Sequence, residues 1–308
     1  MSKKILEVKE LSKTFKRVHA VKGISFDLEE GDIFAFLGPN GAGKTTTLRI
    51  LLDIIKADSG QISWNLNGNS SSLPASSLIG YLPEERGLYL DLPVLRTLVY
   101  MGAIRGMKQS EAKKEAMMWL ERLELGKRAN EKLQTLSKGN QQKVQFVASI
   151  IHKPAFAILD EPFSGLDPLN QELFIGYIKE LNKQGSTILL SSHQMQLVEK
   201  IARKVFLINK GKEVFYGQLG DIYQNSAEQH TLEVSFNNHL PRETFETLEG
   251  AENTISEDAG KVKITFRQGM TISEIMRVLA GVDSITGIRS HNSNLHDIFL
   301  DMIQQQKS

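Results

Sequence analysis

The chain has 308 residues, enough for two domains, and its 41% hydrophobic and 24% charged residues are the balance of a globular protein with a sizeable core. A formal net charge of +1 without long like-charge runs argues against a surface that binds nucleic acid or anionic lipid. The absence of cysteine excludes disulfides and thiolate metal sites. The apolar runs are only strand-sized and residues 1–10 lack the core of a signal peptide, so a membrane role would need a partner.

The first two-thirds of the chain alternates short apolar runs with longer helical patterns. Four runs have the length and composition of buried strands: Ile33–Leu37, Ala155–Leu159, Thr187–Leu190 and Val205–Ile208. Alternating strands and helices are typical of an α/β domain with a largely parallel sheet. We predict this fold class for residues 1–219.

A glycine-rich loop follows the first of these strands. Residues 38–45 read Gly-Pro-Asn-Gly-Ala-Gly-Lys-Thr, which matches the phosphate-binding pattern in full, and the helical run Thr46–Lys56 begins directly after it. Glycines let backbone N–H groups and the helix N-terminus point at phosphate oxygens, the lysine adds positive charge, and the hydroxyl can ligate Mg²⁺. The alternative is an ordinary glycine-rich turn before a helix. The predicted nucleotide-binding residues are Gly38, Pro39, Asn40, Gly41, Ala42, Gly43, Lys44, Thr45 and Thr46, of which Thr45 is also a predicted metal ligand.

The strand pattern disappears between Tyr89 and Leu136. Glu111–Leu125 is charged and helical, and its apolar residues recur at helical spacing along one face. This pattern predicts an all-helical subdomain, at about residues 89–152, inserted in the sheet domain. The predicted apolar face consists of Ala112, Ala116, Trp119, Leu120 and Leu123.

Two acids and a histidine follow buried strands. Asp160 and Glu161 come directly after Ala155–Leu159, and His193 comes after Thr187–Leu190 and two serines. Because ligands of open α/β sheets bind at the carboxyl ends of the strands, we expect all three beside the phosphate loop. Asp160 would hold Mg²⁺, Glu161 would accept a proton from the attacking water, and His193 would contact the γ-phosphate. The alternatives are capping or solvated acids and an exposed loop histidine.

The pattern changes again near residues 217–229. Thr231–Phe236 and Lys261–Phe266 alternate polar and apolar residues, as strands with one wet face do. Weaker strand and helix patterns follow around them, at Arg242–Leu248, Thr254–Ser256, Ile272–Ala280, Ser284–Ser290 and Leu295–Ile303. The order β-α-β-β-α-β is that of a ferredoxin-like unit, so we predict a small α+β accessory domain at residues 220–308. Its role could be packing, dimer contact or regulation, or small-ligand binding.

Residues 136–142, Leu-Ser-Lys-Gly-Asn-Gln-Gln, resemble the L-S-G-G-Q signature of the ABC ATPases, with Ser137 and Gly139 at matching positions. Lys138 and Asn140 depart from that signature, replacing a glycine and a glutamine. Ser137 can also be the N-cap of the helix Lys138–His152, and both roles are compatible because a capped helix N-terminus is an anion site.

Other landmarks of the same family fall in order along the chain. Residues 164–167, ending in Asp167, resemble its D-loop, and His193 resembles its switch histidine. Phe15 lies where the family has an aromatic residue that stacks on adenine. Glu84 replaces the usual glutamine that touches Mg²⁺ and water, so the resemblance makes it a candidate catalytic residue and metal ligand. Residues 80–89 and the C-terminal extension are similar to the ATP-binding subunits of bacterial sodium-efflux-type exporters.

The resemblance implies a phosphate-loop ATPase that works as a dimer with ATP and Mg²⁺ as cofactors. In this family two subunits pack head to tail, and each ATP lies between one phosphate loop and the opposite signature and D-loop, here Ser137, Gly139 and Asp167. The implied partners are a second copy or a related ATPase subunit and an integral membrane permease, which would dock beside Glu84–Tyr89. The implied location is cytoplasmic, peripheral on the inner face of the cell membrane.

Two other classes compete with an exporter subunit. One is a soluble ABC ATPase acting on ribosomes or nucleic acid, which usually carries two nucleotide domains, a long coiled-coil insert or a basic surface. The chain has none of these features, so we expect no nucleic-acid partner. The other is a phosphate-loop switch or kinase outside the family. The transported substrate touches the permease and therefore leaves no pattern in this chain.

Overall fold

A computed structural model describes residues 3–66, 68–71, 73–85, 87–226, 231–237, 245, 247–258, 260–267, 269–282, 285–291 and 295–305. The chain divides into two compact units, Met1–Gln218 and Leu219–Ser308. Within the described ranges, no helix is long and apolar enough to cross a membrane.

The first unit mixes strands and helices along its whole length. Its elements are, in chain order, β1 (Lys4–Phe15), β2 (Val18–Glu29), β3 (Ile33–Leu37), α1 (Lys44–Leu51), β4 (Ser59–Leu66), β5 (Asn69–Ser71), β6 (Ile79–Leu82), α2 (Val94–Ala103), α3 (Gln109–Arg122), α4 (Lys138–Ile150), β7 (Phe156–Asp160), α5 (Pro168–Lys183), β8 (Thr187–Ser192), α6 (Met195–Glu199), β9 (Lys204–Asn209) and β10 (Lys212–Gln218).

The central sheet of this unit has the strand order β10-β9-β3-β8-β7-β6. All neighbouring pairs from β9 to β6 are parallel, and only β10 is antiparallel to its neighbour. Every residue of β3, β7 and β8 is buried, as parallel strands covered on both faces require. The predicted α/β class is confirmed. The carboxyl ends of β3, β7 and β8 meet at one edge, which places the loops that follow them side by side.

A second sheet, with the order β2-β1-β4-β5, is antiparallel throughout and was not predicted. An aromatic cluster joins it to the central sheet. The ring of Phe26 on β2 lies 5.6 Å from Phe34, 5.5 Å from Phe36 and 5.4 Å from Phe206, centroid to centroid. One core therefore lies between the two sheets and fixes β3, from which the glycine-rich loop starts.

The helices α2, α3 and α4 lie between β6 and β7, in the stretch where the sequence predicts helices. The helix α3 begins two residues before the predicted start and ends three residues before the predicted end. All five residues of the predicted apolar face are buried. Trp119 packs edge-on against Phe146 of α4, and Phe146 contacts Phe174 of α5 at 4.8 Å. These aromatic contacts hold α3 and α4 against α5.

The second unit is built on one antiparallel sheet. Its elements are α7 (Leu219–Ser226), β11 (Thr231–Phe236), β12 (Ala251–Asp258), β13 (Lys261–Phe266), α8 (Ile272–Leu279), β14 (Ile285–His291) and α9 (Leu295–Gln305). The strand order is β12-β13-β11-β14, and Ile275 and Leu279 of α8 pack on its apolar face. The ferredoxin-like assignment stays a prediction, because most of its first predicted helix, Arg242–Leu248, lies outside the described residues.

Candidate functional site

A cleft of about 680 Å³ opens over the glycine-rich loop between β3 and α1. Its walls are formed by the loop, by Glu161 directly after β7, by Glu84, and by the β1–β2 turn with the start of β2. The lining residues are Arg17, Val18, His19, Ala20, Lys22, Asn40, Gly41, Ala42, Gly43, Lys44, Thr45, Thr46, Glu84, Glu161 and Lys210. The cations Arg17, Lys22, Lys44 and Lys210 outnumber the acids Glu84 and Glu161 in this list, which suits a polyanionic ligand.

The path of the loop depends on two glycines. Gly43, which caps α1, has φ of 112°, and a Cβ there would lie 2.4 Å from the carbonyl oxygen of Ala20. A Cβ on Gly38 would lie 2.2 Å from the carbonyl oxygen of Ile208. Any larger residue would push the backbone outward at both places. The close packing directs the loop onto the N-terminus of α1, where free N–H groups favour anions.

Lys44 lies buried at the floor of the cleft. Its Nζ donates hydrogen bonds to the carbonyl oxygens of Gly38, at 2.8 Å, and Pro39, at 3.3 Å. The same Nζ lies 3.4 Å from Glu161 Oε1. The ammonium group is thus held inside the curl of its own loop, with one carboxylate beside it.

The Thr45 hydroxyl lies between two carboxylates. Its Oγ1 is 3.3 Å from Asp160 Oδ1 and 3.5 Å from Glu84 Oε2, and its single proton can be donated to only one of them at a time. The Ser191 hydroxyl also donates to Asp160 Oδ1. Burial raises the pKa of Asp160, although the bonds from Ser191 and Thr45 oppose that rise. Asp160 Oδ2 is buried and has no hydrogen-bond partner among the described residues.

Glu161 is 3% exposed and has a left-handed backbone, with φ of 49°. Its N–H donates to Ser191 Oγ at 3.1 Å and to the Ser191 carbonyl oxygen at 3.2 Å. Its Oε2 lies 2.9 Å from Nδ1 of the half-exposed His193. Neither carboxylate oxygen has a hydrogen-bond partner among the described residues. A buried carboxylate between Lys44 and His193 on a strained turn fits the pattern of functional sites, where strain of about 1–3 kcal/mol is tolerated.

The oxygens around Thr45 suit a hard cation. Thr45, Glu84 and Asp160 offer hydroxyl and carboxylate ligands, and Asp160 Oδ2 has spare acceptor capacity. Over the part of the chain that the structure describes, no group of three or more His, Asp or Glu side chains could hold a metal alone. Such a cation would therefore need phosphate oxygens or water to complete its ligands.

The structure brings together Lys44, Thr45, Glu84, Glu161 and His193, with Asp160 bonded to Thr45. Among the other predicted residues, Gly38 and Pro39 accept from Lys44 without lining this cleft. Phe15, Ser137, Gly139 and Asp167 do not line it either. Ser137 caps α4 by accepting a bond from the Asn140 N–H at 3.4 Å, and Asp167 caps α5 by accepting from Asn170 at 3.0 Å. A Cβ on Gly139 would lie 3.3 Å from the Gly165 carbonyl oxygen, so the first turn of α4 adjoins the loop before α5. Phe15 is 42% exposed at the end of β1, with Lys13 Nζ 5.4 Å from its ring centroid.

Two kinds of site residue were not predicted. Ser191 bonds both Asp160 and the Glu161 N–H, and its position opposite Asp160 in the parallel pair β7/β8 could have been found from strand register. The cleft also takes in Arg17, His19 and Lys22 from around the β1–β2 turn. Their basic character is visible in the sequence, but the position of that turn depends on the unpredicted antiparallel sheet.

A strand, phosphate loop and helix beside acids at the carboxyl ends of parallel strands define a phosphate-loop nucleotide-binding fold. The family model described as "ABC transporter" matches residues 21–164. An ABC transporter ATP-binding protein of Bacillus subtilis, YhaQ, is 39% identical over 97% of this chain and 98% of its own length. The chain therefore belongs to the family of ABC transporter ATP-binding subunits. As a member of that family it is an ATPase.

Two further comparisons agree with this assignment. The Nod factor export ATP-binding protein I of Cupriavidus pinatubonensis is 28% identical over 97% of this chain and 90% of its own length. A solved structure of an ATP-binding subunit of an ABC transporter aligns with a TM-score of 0.65 and 29% identity. The alignment covers 72% of this chain and 93% of that one. The 72% of this chain that the alignment covers is close to the size of the first unit, Met1–Gln218.

The first prediction concerns the exposed ring of Phe15. If it stacks on a base, Phe15→Ala is expected to raise the Kd for ATP about 5- to 150-fold, since stacking contributes about 1–3 kcal/mol per base. Equilibrium binding measured by calorimetry checks this, with Tyr89→Ala as the control, because Tyr89 is an exposed aromatic that does not line the cleft. An unchanged Kd in the Phe15 variant would refute the stacking role.

Proposed function

We propose that the chain powers an exporter as one of two ATPase subunits, which close on ATP and pull on a separate membrane permease. The observation that carries this proposal is the incompleteness of the cleft within one chain. Lys44, Thr45 and Glu161 line it, whereas Ser137 and Gly139 lie outside it. A second copy or a related ATPase subunit, packed head to tail, would bring its capped α4 N-terminus to the phosphates as an anion site.

Within the closed site we propose Glu161 as general base. Its carboxylate would take a proton from water as the water oxygen attacks the γ-phosphorus and the bond to the leaving ADP oxygen breaks. Burial between Lys44 and His193 supports this role, because a base must be held still near the proton that it takes. His193 would orient the γ-phosphate, and Lys44 would neutralise the β- and γ-phosphates. Asp167, close to this chain's own signature, would contact the nucleotide that the partner's phosphate loop holds.

We propose Mg²⁺ as the cation of this site, with Thr45, Glu84 and Asp160 as its ligands, directly or through water. The oxygen atoms of these residues support this choice, and so does Asp160 Oδ2, which has no hydrogen-bond partner among the described residues. Mg²⁺ usually binds through one or two carboxylates plus phosphates and water. When bound, Mg²⁺ would neutralise part of the negative charge of the phosphates.

The second prediction tests Glu84. Glu84→Gln restores the family's usual residue and is expected to change the Mg²⁺ concentration for half-maximal turnover by about threefold or more, because a carboxylate binds the cation more strongly than an amide. The Kd for ATP without Mg²⁺ should stay within about twofold. Glu85→Gln is the matched control, since Glu85 is exposed and lies 3.6 Å from Arg49. A Mg²⁺ effect only in the Glu85 variant would show that the assignment is one residue off.

We propose that the permease docks on an apolar surface of the first unit. Tyr89, Leu90, Tyr100 and Ile104 expose between 46% and 58% of their area on and around α2. A cavity of about 190 Å³, lined in part by Leu88 and Met101, lies in the same segment. Such a cluster is unusual on a free surface and suits a protein partner. This docking would make the chain peripheral to the inner face of the membrane.

The export direction and a place among the subunits that resemble sodium-efflux-type exporters are part of this proposal. They are supported by the resemblance of residues 80–89 and by the similarity to a Nod factor export subunit. We also propose that residues 220–308 form an accessory domain of their own, as the separate sheet and apolar core of the second unit suggest. A formal net charge of only +1 does not favour the alternative of a ribosome- or DNA-acting ATPase.

Affinity purification from detergent-solubilised cells tests the proposal. The tagged chain is expected to recover a polytopic membrane protein, and Ile104→Glu should reduce that recovery at least fivefold while leaving the chain folded. The control is Ile272→Glu, which places a charge on an equally exposed isoleucine of the second unit. Recovery of ribosomal proteins or nucleic acid in place of a membrane protein would favour the alternative.

A further inference from the structure

The buried side chain of Gln145 links α4 to the loop that carries Glu84. Gln145 is 4% exposed, and its Nε2 donates to the carbonyl oxygen of Pro83 at 2.9 Å and to that of Glu85 at 3.0 Å. The two acceptors stand on either side of Glu84. A primary amide has two N–H donors, so one side chain can satisfy both carbonyls.

A second glutamine of the same helix makes a similar link. Gln142, 2% exposed, donates to the Pro162 carbonyl oxygen at 3.4 Å, one residue beyond Glu161. Residues three apart lie on the same face of a helix. The face of α4 that holds both amides therefore touches both loops that carry candidate catalytic carboxylates. The N-terminus of that helix is the segment capped by Ser137.

We propose that Gln145 is a positioning residue for Glu84. By holding the backbone on both sides of Glu84, it sets the carboxylate within 3.5 Å of Thr45 Oγ1. Because the amide is fixed to α4, any displacement of that helix moves the Glu84 loop with it. The proposal rests on the dimeric site proposed above, in which the start of α4 engages the other subunit's nucleotide. A displacement of the start of α4, at Ser137, would thus be transmitted to Gln145, which lies about 12 Å along the helix at 1.5 Å per residue. Gln145 would pass it to Glu84.

Gln145 could instead be a core polar residue that merely satisfies two buried carbonyls. In either role, removing Gln145 should lower the stability of the protein. Only a positioning role acts through the Glu84 carboxylate. The chain offers a matched control on the same helix. Gln141 Nε2 also donates to two carbonyl oxygens, those of Leu133 at 3.3 Å and Leu136 at 3.1 Å, away from Glu84.

Gln145→Met retains length and volume but removes both donors, and crystal structures of the nucleotide-free variants read the result directly. The distance from Thr45 Oγ1 to Glu84 Oε2 is expected to lengthen beyond about 4 Å, outside hydrogen-bond range, in this variant and to stay near 3.5 Å in Gln141→Met. An unchanged distance in Gln145→Met, with the protein folded, would overturn the proposal. If this variant does not fold, Gln145→Asn keeps the amide but is one methylene too short to span both carbonyls.

A double-mutant cycle separates positioning from general stability. Gln145→Met is expected to shift the Mg²⁺ midpoint of ATP hydrolysis by at least threefold, and that shift should disappear in a Glu84→Gln background. An equal shift in both backgrounds would show that Gln145 acts elsewhere and would overturn the proposal. Absence of ATP hydrolysis in the unmodified protein would defeat the proposed function alone, because the nucleotide-free crystal structures still decide whether Gln145 positions Glu84.

Discussion

Replacing Glu161 by glutamine is expected to lower kcat for ATP hydrolysis at least about 100-fold while ATP binding stays intact, since general-base catalysis contributes about 10²–10⁴ in rate. Glutamine has the same shape, so the left-handed turn and the bonds from its N–H to Ser191 should persist. The carboxylate that can accept a proton is lost. With hydrolysis blocked, ATP should hold two chains together, and a dimer should appear on size exclusion when ATP is present.

The control for this variant is Glu115→Gln. Glu115 is also partly buried and also pairs with a lysine, at 2.6 Å from Lys153 Nζ, but it lies on α3 away from the cleft. Its kcat is expected to stay within about twofold of the unmodified protein. Steady-state turnover of Glu161→Gln within threefold of the unmodified protein would remove Glu161 as the base.

Features encoded in short stretches of sequence were predictable. The strand β3 and the loop after it are contiguous, and an apolar run followed by glycines and a lysine specifies both. The strands β11 and β13 were predicted with their observed bounds, because alternation with one wet face is a strong local signal. Acids after β7 could be placed beside the loop because parallel strands share a carboxyl edge.

Features that depend on long-range pairing were not predictable. The strands β1 and β2 are twelve residues long, and their pairing contains several register shifts that break a clean alternation. The contact of Ser191 with Asp160 spans 31 residues, and that of Gln145 with Glu85 spans 60. Neither Ser191 nor Gln145 is an unusual residue type at its position in the sequence. Only the register of β7 with β8, or the packing of α4, gives them a role at the site.

The roles of Ser137, Gly139 and Asp167 could be suggested only by resemblance. Within one chain Ser137 and Asp167 are ordinary helix caps, and local physics accounts fully for both. A site completed by a second copy leaves no mark on the geometry of one copy beyond the absence of those residues from its cleft.

The variant with the largest expected effect on binding is Lys44→Ala. At about 4 Å and an effective dielectric constant of about 20, the ammonium and one phosphate charge attract by about 4 kcal/mol. Part of this is offset, because Lys44 already donates to Gly38 and Pro39 and lies beside Glu161. We expect a net loss of at least about 2.8 kcal/mol, or a 100-fold increase in the Kd for ATP measured by calorimetry.

The control must remove a lysine charge without touching the cleft. Lys56→Ala does so, because Lys56 is 80% exposed and pairs with Asp53 beyond the end of α1. It should leave the Kd for ATP within about twofold, since an exposed charge far from the ligand is screened by salt. In Lys44→Ala the buried Glu161 keeps His193 as a partner at 2.9 Å, so the protein should still fold, which thermal unfolding checks. A folded Lys44→Ala that bound ATP as tightly as Lys56→Ala would show that the helix N-terminus and loop amides hold the phosphates without the ammonium group.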